Sequence, residues 1–345
     1  MDSQMIENKR LAEHSPLSDA ARSTLIILTA FVLFFVVWYF HLGIGPFKSL
    51  IGNSQSAYYL TNYLISGLIP AVAMWLLYRR RNTVQPKTGT KIKAETGTEP
   101  KAEIITEAQA KTKSTIEIGR NAGAEIGTNP ETVSTAETKT ATPPHPAHTF
   151  STILAQLGLA HGFGIGMGFA VLCTLPMCIG YAAIGTYDTE VSADHLLTRI
   201  VIAGFFEELI FRGFVFGQLF RCARWGFLPA ALLTAVAFGS LHLYQGHDWI
   251  SALSAFGVTA LGSLFFSWLF VEWNYNLWTV VWLHTLMNLP WIVFRVSDTG
   301  AVGDIWDNVL RISTIVLAVG LTVWHKQKRG LPYFITFKSL IINHE

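Results

Sequence analysis

A stretch of about twenty apolar residues hides its backbone polar groups from hydrocarbon only by coiling into a helix that spans it. This chain repeats such stretches eight times, at 23–43, 58–78, 161–185, 198–219, 228–244, 250–271, 276–296 and 305–324. The expected fold is therefore all-α, a polytopic transmembrane helical bundle of about eight spans. Composition agrees: 14% of the 345 residues are charged, against about 25% in soluble domains, and residues 82–149 hold many of those. The first apolar stretch is too long for a signal-peptide core and has no small-residue cleavage pattern, so it reads as a retained helix. A net charge of +2, with the basic residues beside apolar runs, gives no reason to expect a nucleic-acid partner. The three cysteines form no CxxC pair, so they support neither a thiolate metal site nor a disulfide framework.

Charge placement orients the bundle. Lys9, Arg10 and Arg22 precede the first stretch, Arg79, Arg80 and Arg81 follow the second, Arg221 and Arg224 follow the fourth, and Lys326, Lys328 and Arg329 follow the eighth. The alternate loops carry Asp188, Glu190, Asp194, Asp248, Asp298 and Asp304. Basic residues stay on the cytoplasmic side of membrane helices, which places both termini there. The expected location is a cell membrane of bacterial type, with the lipid bilayer as an obligatory partner.

Residues 82–149 differ from the rest. They lack Phe, Trp and Tyr and repeat Thr, Ala, Lys, Glu, Gly and Pro in imperfect units such as Lys-Ala-Glu-Thr. Such a stretch buries too little apolar surface to offset the entropy of ordering, and a disordered cytoplasmic linker is expected. The chain thus divides into an accessory region at 1–81 with two spans, the linker at 82–149, a bundle of about six helices at 150–325, and a cytoplasmic tail at 326–345. The two accessory spans have no ionisable residue in their interiors, so the chemistry belongs to the later bundle.

Ionisable groups at bilayer depth are costly and usually mark function. One stretch reads Phe-Phe-Glu207-Glu208-Leu-Ile-Phe-Arg212-Gly, the next Phe238-Gly-Ser-Leu-His242, and a third His284-Thr-Leu-Met-Asn288-Leu-Pro290. Glu208 and Arg212 stand four apart and suit an ion pair on one helix face, as His284 and Asn288 suit a shared face. Glu207 is turned about 100° away from Glu208. At 1.5 Å of rise per residue, Glu207, His242, His284 and Asn288 fall roughly 12–21 Å above the cytoplasmic ends of their spans, one common layer. A carboxylate in apolar surroundings serves as a general base near neutral pH. A histidine beside it shares in activating water, and a second histidine with an amide offers donors to an oxyanion. Those are the parts needed to hydrolyse an amide with water as nucleophile. The glycines at 162, 164, 166 and 168 form overlapped GxxxG spacings, which predict close helix packing. His247 and Asp248 read as loop surface residues.

Taken in order, Glu-Glu-x-x-x-Arg, Phe-x-x-x-His and His-x-x-x-Asn on successive apolar helices resemble the CAAX-protease and bacteriocin-processing (CPBP, or Abi) family, over roughly residues 155–325. Members include the type II CAAX prenyl endopeptidase. The resemblance implies an intramembrane endopeptidase acting on a peptide or protein substrate at the membrane, with prenylated CAAX-type proteins among the candidates. It implies Glu207 as the water-activating carboxylate assisted by His242, His284 and Asn288 as the oxyanion pair, and Glu208 as a further site residue with Arg212 and Phe238 in support. A metal-independent route is favoured, without a cofactor. The alternative is zinc held by Glu207, His242 and His284, although no His-Glu-x-x-His motif is present. Two other classes stay open: a non-catalytic scaffold or an immunity or secretion accessory protein of the same fold, and a transporter relaying protons through the same carboxylates. The transporter reading is weakened by the lack of an inverted repeat.

Overall fold

The computed structural model describes residues 16–78, 146–294 and 301–343; nearly all of the 82–149 linker lies outside them. Among the described residues the chain is helical, with two isolated antiparallel bridges, Tyr187–Phe294 and Trp225–Ile342, and no strand. The main helices are α1 (Pro16–Tyr39), α2 (Gln55–Tyr78), α3 (Pro146–Gln156) and α4 (Phe163–Ile184). A longer helical path, α5, follows from Ala193 to Arg221, and then α6 (Phe227–Ser240), α7 (Trp249–Glu272), α8 (Leu277–Val293) and α9 (Ile305–Arg329).

Among the described residues, six helical stretches are long and apolar enough to cross a bilayer: Asp19–Tyr39, Gln55–Tyr78, Phe163–Ile184, Phe227–Gln245, Trp249–Glu272 and Ile305–Arg329. The other two of the eight expected spans are helical but atypical. The shorter, α8, is an apolar helix of 17 residues, and α5 is continuous but not uniformly α-helical. Many large side chains face outward, among them Leu172, Leu175 and Ile179 on α4 and Leu261 on α7. An aqueous surface would not carry this much exposed apolar area on its helices. Lipid supplies the missing cover, and the protein is an integral membrane protein.

Local chemistry sets the helix limits. Asp248 and Asp304 each accept the backbone N–H three residues on, from Ser251 and Asp307, forming capping boxes at the starts of α7 and α9,. At the C-terminus of α9, Gly330 takes the left-handed conformation (φ +61°), the usual stop for a helix. Half of the glycine series has the expected packing role. A Cβ on Gly166 would lie 2.7 Å from the Thr279 backbone nitrogen, so α4 and α8 cross in close contact there, whereas Gly164 and Gly168 face open space.

Two boundaries differ from the sequence reading. Pro146 opens α3, four residues before the expected start of the bundle, because proline suits the first turn of a helix,. The expected cytoplasmic tail is partly stitched to the bundle. After α9, Lys326 pairs with buried Glu272, which also accepts the amides of Phe334 (3.3 Å) and Ile335 (3.0 Å). Asn343 Nδ2 donates to the Phe220 carbonyl at 2.9 Å.

Candidate active site

The site is built on α5. In this helix α-helical turns (Ala193–Leu196, Ala203–Glu208 and Gly217–Arg221) alternate with π-helical ones (Leu197–Ile202 and Leu209–Phe216). At the two junctions the amide of Ala203 reaches the Thr198 carbonyl and that of Gly217 the Arg212 carbonyl, each five residues back. A π turn takes up an extra residue and changes the direction of the side chains beyond it, and such turns recur at functional sites. Glu207 and Glu208 end the α-helical segment between the two.

Glu208 and Arg212 are both fully buried, and Arg212 Nη1 donates to Glu208 Oε1 at 3.0 Å. The same oxygen lies 2.7 Å from His284 Nδ1 on α8. A carboxylate oxygen accepts, so Nδ1 carries the proton in this pairing. The other ring nitrogen, Nε2, is then turned toward Glu207, with 3.8 Å to Oε2. The guanidinium of Arg212 lies 4.9 Å from the Phe238 ring centre and 5.3 Å from that of Phe266. These aromatic faces attract the cation where Nε and Nη2 lack hydrogen-bond partners,.

His284 reaches Glu208 because α5 and α8 cross tightly at Gly204, one helical turn before Glu208. A Cβ on Gly204 would lie 2.6 Å from Thr285 Oγ1. His242 sits just beyond the end of α6 at the start of a 3₁₀ turn, still inside the apolar Phe227–Gln245 stretch where it is expected. Its Nδ1 lies 2.8 Å from the Phe238 carbonyl, which only accepts, so Nε2 is left as a proton acceptor,. Asn288 Nδ2 is 3.4 Å from the Arg199 carbonyl.

A cavity of about 430 Å³ joins these groups: Glu207, Glu208, Phe238, His242, His284 and Asn288 all line it. Arg212 stands behind Glu208, outside the lining. The pairings inside the set differ from those that spacing suggested. His284 is engaged by Glu208 rather than grouped with Asn288 alone, because the helix crossing at Gly204 brings α5 against α8. Sequence reading missed Gly204 and Phe266. A glycine four residues before a membrane-embedded glutamate on the same face is a usable signal for Gly204, whereas Phe266 is one of 23 phenylalanines and carries none. For the zinc alternative, among the described residues no three His, Cys, Asp or Glu side chains come together as an ion's ligands.

Residues 191–290 match the family described as Type II CAAX prenyl endopeptidase Rce1-like. No curated protein matches the chain at a significant level, and no solved structure does. The matched segment runs from the loop before α5 into the last turns of α8 and contains every polar residue assigned above to the cavity. Over this segment the chain is similar to the CAAX-protease family.

Proposed function

We propose that the protein hydrolyses a peptide bond of a membrane-associated protein or peptide, a class that includes prenylated CAAX-type substrates, using a water molecule activated by Glu207. The observation that carries this reading is the cavity itself. Two carboxylates, two histidines and an amide from α5, the turn after α6, and α8 meet around one space large enough for a short peptide segment. In this mechanism Glu207 takes a proton from water, and the free Nε2 of His242 serves as the second acceptor. The water attacks the scissile carbonyl, and Glu207 returns the proton to the departing amine. An imidazolium at His284, lying between Glu207 and Glu208 with Arg212 behind, balances the charge of the cluster. Its Nε2–H and the Asn288 amide then serve as donors to the developing oxyanion.

The orientation favoured by the basic clusters puts both termini in the cytoplasm. Tyr244, Gln245 and Ala301, which line the cavity as well, then lie toward the opposite side of the membrane.

The test uses the full chain in proteoliposomes with a lipid-anchored, internally quenched peptide. Glu207→Gln is expected to cut hydrolysis by roughly 10²–10⁴-fold, with peptide binding and fold retained. A strong chelator is expected to leave the activity of the unaltered protein in place. Full activity in Glu207→Gln would discard the mechanism, and chelator-sensitive activity restored by zinc would replace it with a metal-assisted one.

A further inference from the structure

We infer that a second cavity, at the cytoplasmic end of α5, holds the phosphate group of an anionic phospholipid, with Arg221 as its cation. The inference is independent of the peptidase reading, and none of the residues lining this cavity lines the one around Glu207.

The second cavity measures about 270 Å³. Its walls include Gln156 at the end of α3, Phe220 and Arg221 at the end of α5, Tyr275 in the turn between α7 and α8, and Phe334 and Asn343 after α9. No Asp or Glu lines it. Arg221 is half-buried there, and its contacts are neutral. Nη1 donates to the Gln156 carbonyl at 2.9 Å, and the guanidinium lies 4.4 Å from the Tyr275 ring centre. Among the described residues Arg221 forms no ion pair with a carboxylate. Glu272, which anchors the same C-terminal segment, already balances Lys326 and accepts the Phe334 and Ile335 amides. A cation withdrawn from water with only neutral partners calls for an anion. The fork of donors on arginine suits the oxygens of a phosphate.

Two observations select a lipid as the carrier of that phosphate. The first is the level of the cavity. Arg221 closes α5 on the side where the basic clusters gather, with Arg224 exposed in the next turn and Lys328 and Arg329 exposed at the end of α9. Basic pockets between membrane helices on the cytoplasmic side suit lipid headgroups. The second is an apolar fringe. The segment that supplies Phe334 and Asn343 also presents Phe337, 91% exposed, with Ile341 and Ile342 exposed beside it in sequence. Backbone hydrogen bonds fasten this segment to the start of α6: Gly226 N–H donates to the Ile341 carbonyl at 3.0 Å and Leu228 N–H to that of Leu340 at 2.9 Å. Its outward side chains are therefore held facing away from the bundle. A soluble phosphate would answer Arg221 and leave this fringe bare, whereas a phospholipid answers both, its acyl chains covering the apolar side chains.

The test follows the melting temperature of the full chain in dodecyl maltoside with three additions: phosphatidylglycerol, phosphatidylcholine of the same acyl chains, and glycerol 3-phosphate. Phosphatidylglycerol is expected to raise it by roughly 2–4 °C over phosphatidylcholine, and native mass spectrometry should show the lipid retained. Arg221→Gln should weaken phosphatidylglycerol binding by roughly 10–100-fold, the range for a charge-assisted hydrogen bond. Arg221→Lys should weaken it less, and Arg224→Gln, outside the cavity, should leave it unchanged. Equal melting in the two lipids overturns the site, as does a full phosphatidylglycerol effect in Arg221→Gln. A rise of the same size with glycerol 3-phosphate alone overturns the lipid assignment. Should Arg221→Gln not fold, the decision passes to Arg221→Lys, and an affinity equal to that of the unaltered protein overturns the site.

Discussion

The α1–α2 hairpin and the α5–α8 bundle are both made of apolar helices, yet they are held in place by different means. The hairpin meets α5 through shape. Phe31 and Phe35 pack edge-on against Phe211, at 5.9 and 6.1 Å between ring centres, and Tyr63 stacks on Phe206 at 4.7 Å, beside Glu207. Its polar fastenings sit at the ends. At one, the Asp194 carboxylate accepts the amides of Gln55 (2.7 Å) and Ser56 (3.1 Å) and both serine hydroxyls, capping α2 from a distant part of the chain. At the other, the Tyr78 hydroxyl lies 2.7 Å from Gln218 Oε1. The bundle instead keeps its polar bonds at its centre, where Glu208 joins Arg212 and His284. A polar contact in the interior fixes geometry but makes every partner indispensable, because a stranded charge there is expensive. Aromatic contacts along lipid-facing helices tolerate replacement, since neighbouring apolar groups fill in. The hairpin is thus a buttress for the backbone of α5, and the bundle is the instrument itself.

Four changes break or sharpen this contrast. The largest effect belongs to the centre: Arg212→Ala is expected to destabilise by about 3–5 kcal/mol, since it strands Glu208. Adding Glu208→Gln should recover part of that stability without recovering hydrolysis. Thermal denaturation in detergent, paired with activity, checks both; stability unmoved by Arg212→Ala would mean the pair is not structural. Next comes the crossing. Gly204→Ala places a Cβ 2.6 Å from Thr285 Oγ1 and should part Glu208 from His284, lowering kcat by roughly 10–100-fold, the scale expected when a catalytic group is misplaced by about 1 Å. A variant with normal kcat would show that the His284–Glu208 contact is dispensable.

The buttress should respond more gently. Tyr63→Leu removes the stack on Phe206, worth about 0.5–1.5 kcal/mol, and a several-fold fall in activity is expected rather than its loss. An effect as large as that of Glu207→Gln would erase the distinction between buttress and instrument. The smallest effect is at Asp194. Hydrogen bonds from Ser56, then Ser54 and the Ser56 and Gln55 amides, lower its pKa from 3.8 to about 2. A carboxylate with a depressed folded-state pKa stabilises above its unfolded value and loses that contribution as pH falls through the folded one. The melting-temperature advantage of the unaltered protein over Asp194→Asn should therefore be full above pH 4 and fade toward pH 2. A pH-independent difference would assign the fastening to the serine hydroxyls alone.

The apolar stretches alone decided the membrane class, since a bilayer accepts little except helices of that length. They also decided which polar residues were out of place. The Glu208–Arg212 pair was legible for the same local reason: residues four apart on a helix share a face whatever surrounds them. Asp248 and Asp304 were visible as loop acids, though not as helix caps. The tertiary structure alone decided which carboxylate His284 engages, because Glu208 lies 76 residues away in the chain and the choice depends on how closely α5 and α8 cross at Gly204. The π turns of α5 are of the same kind. Their five-residue hydrogen bonds offer no local gain over α-helical ones, so neighbouring packing rather than periodicity selects them. The fastening of the hairpin by Asp194 joins segments 138–140 residues apart, and no helical period spans that separation. Periodicity and apolar length act within one helix and can be read along the chain. Contacts between helices are set by the fit of whole surfaces, which exists only once the helices have packed.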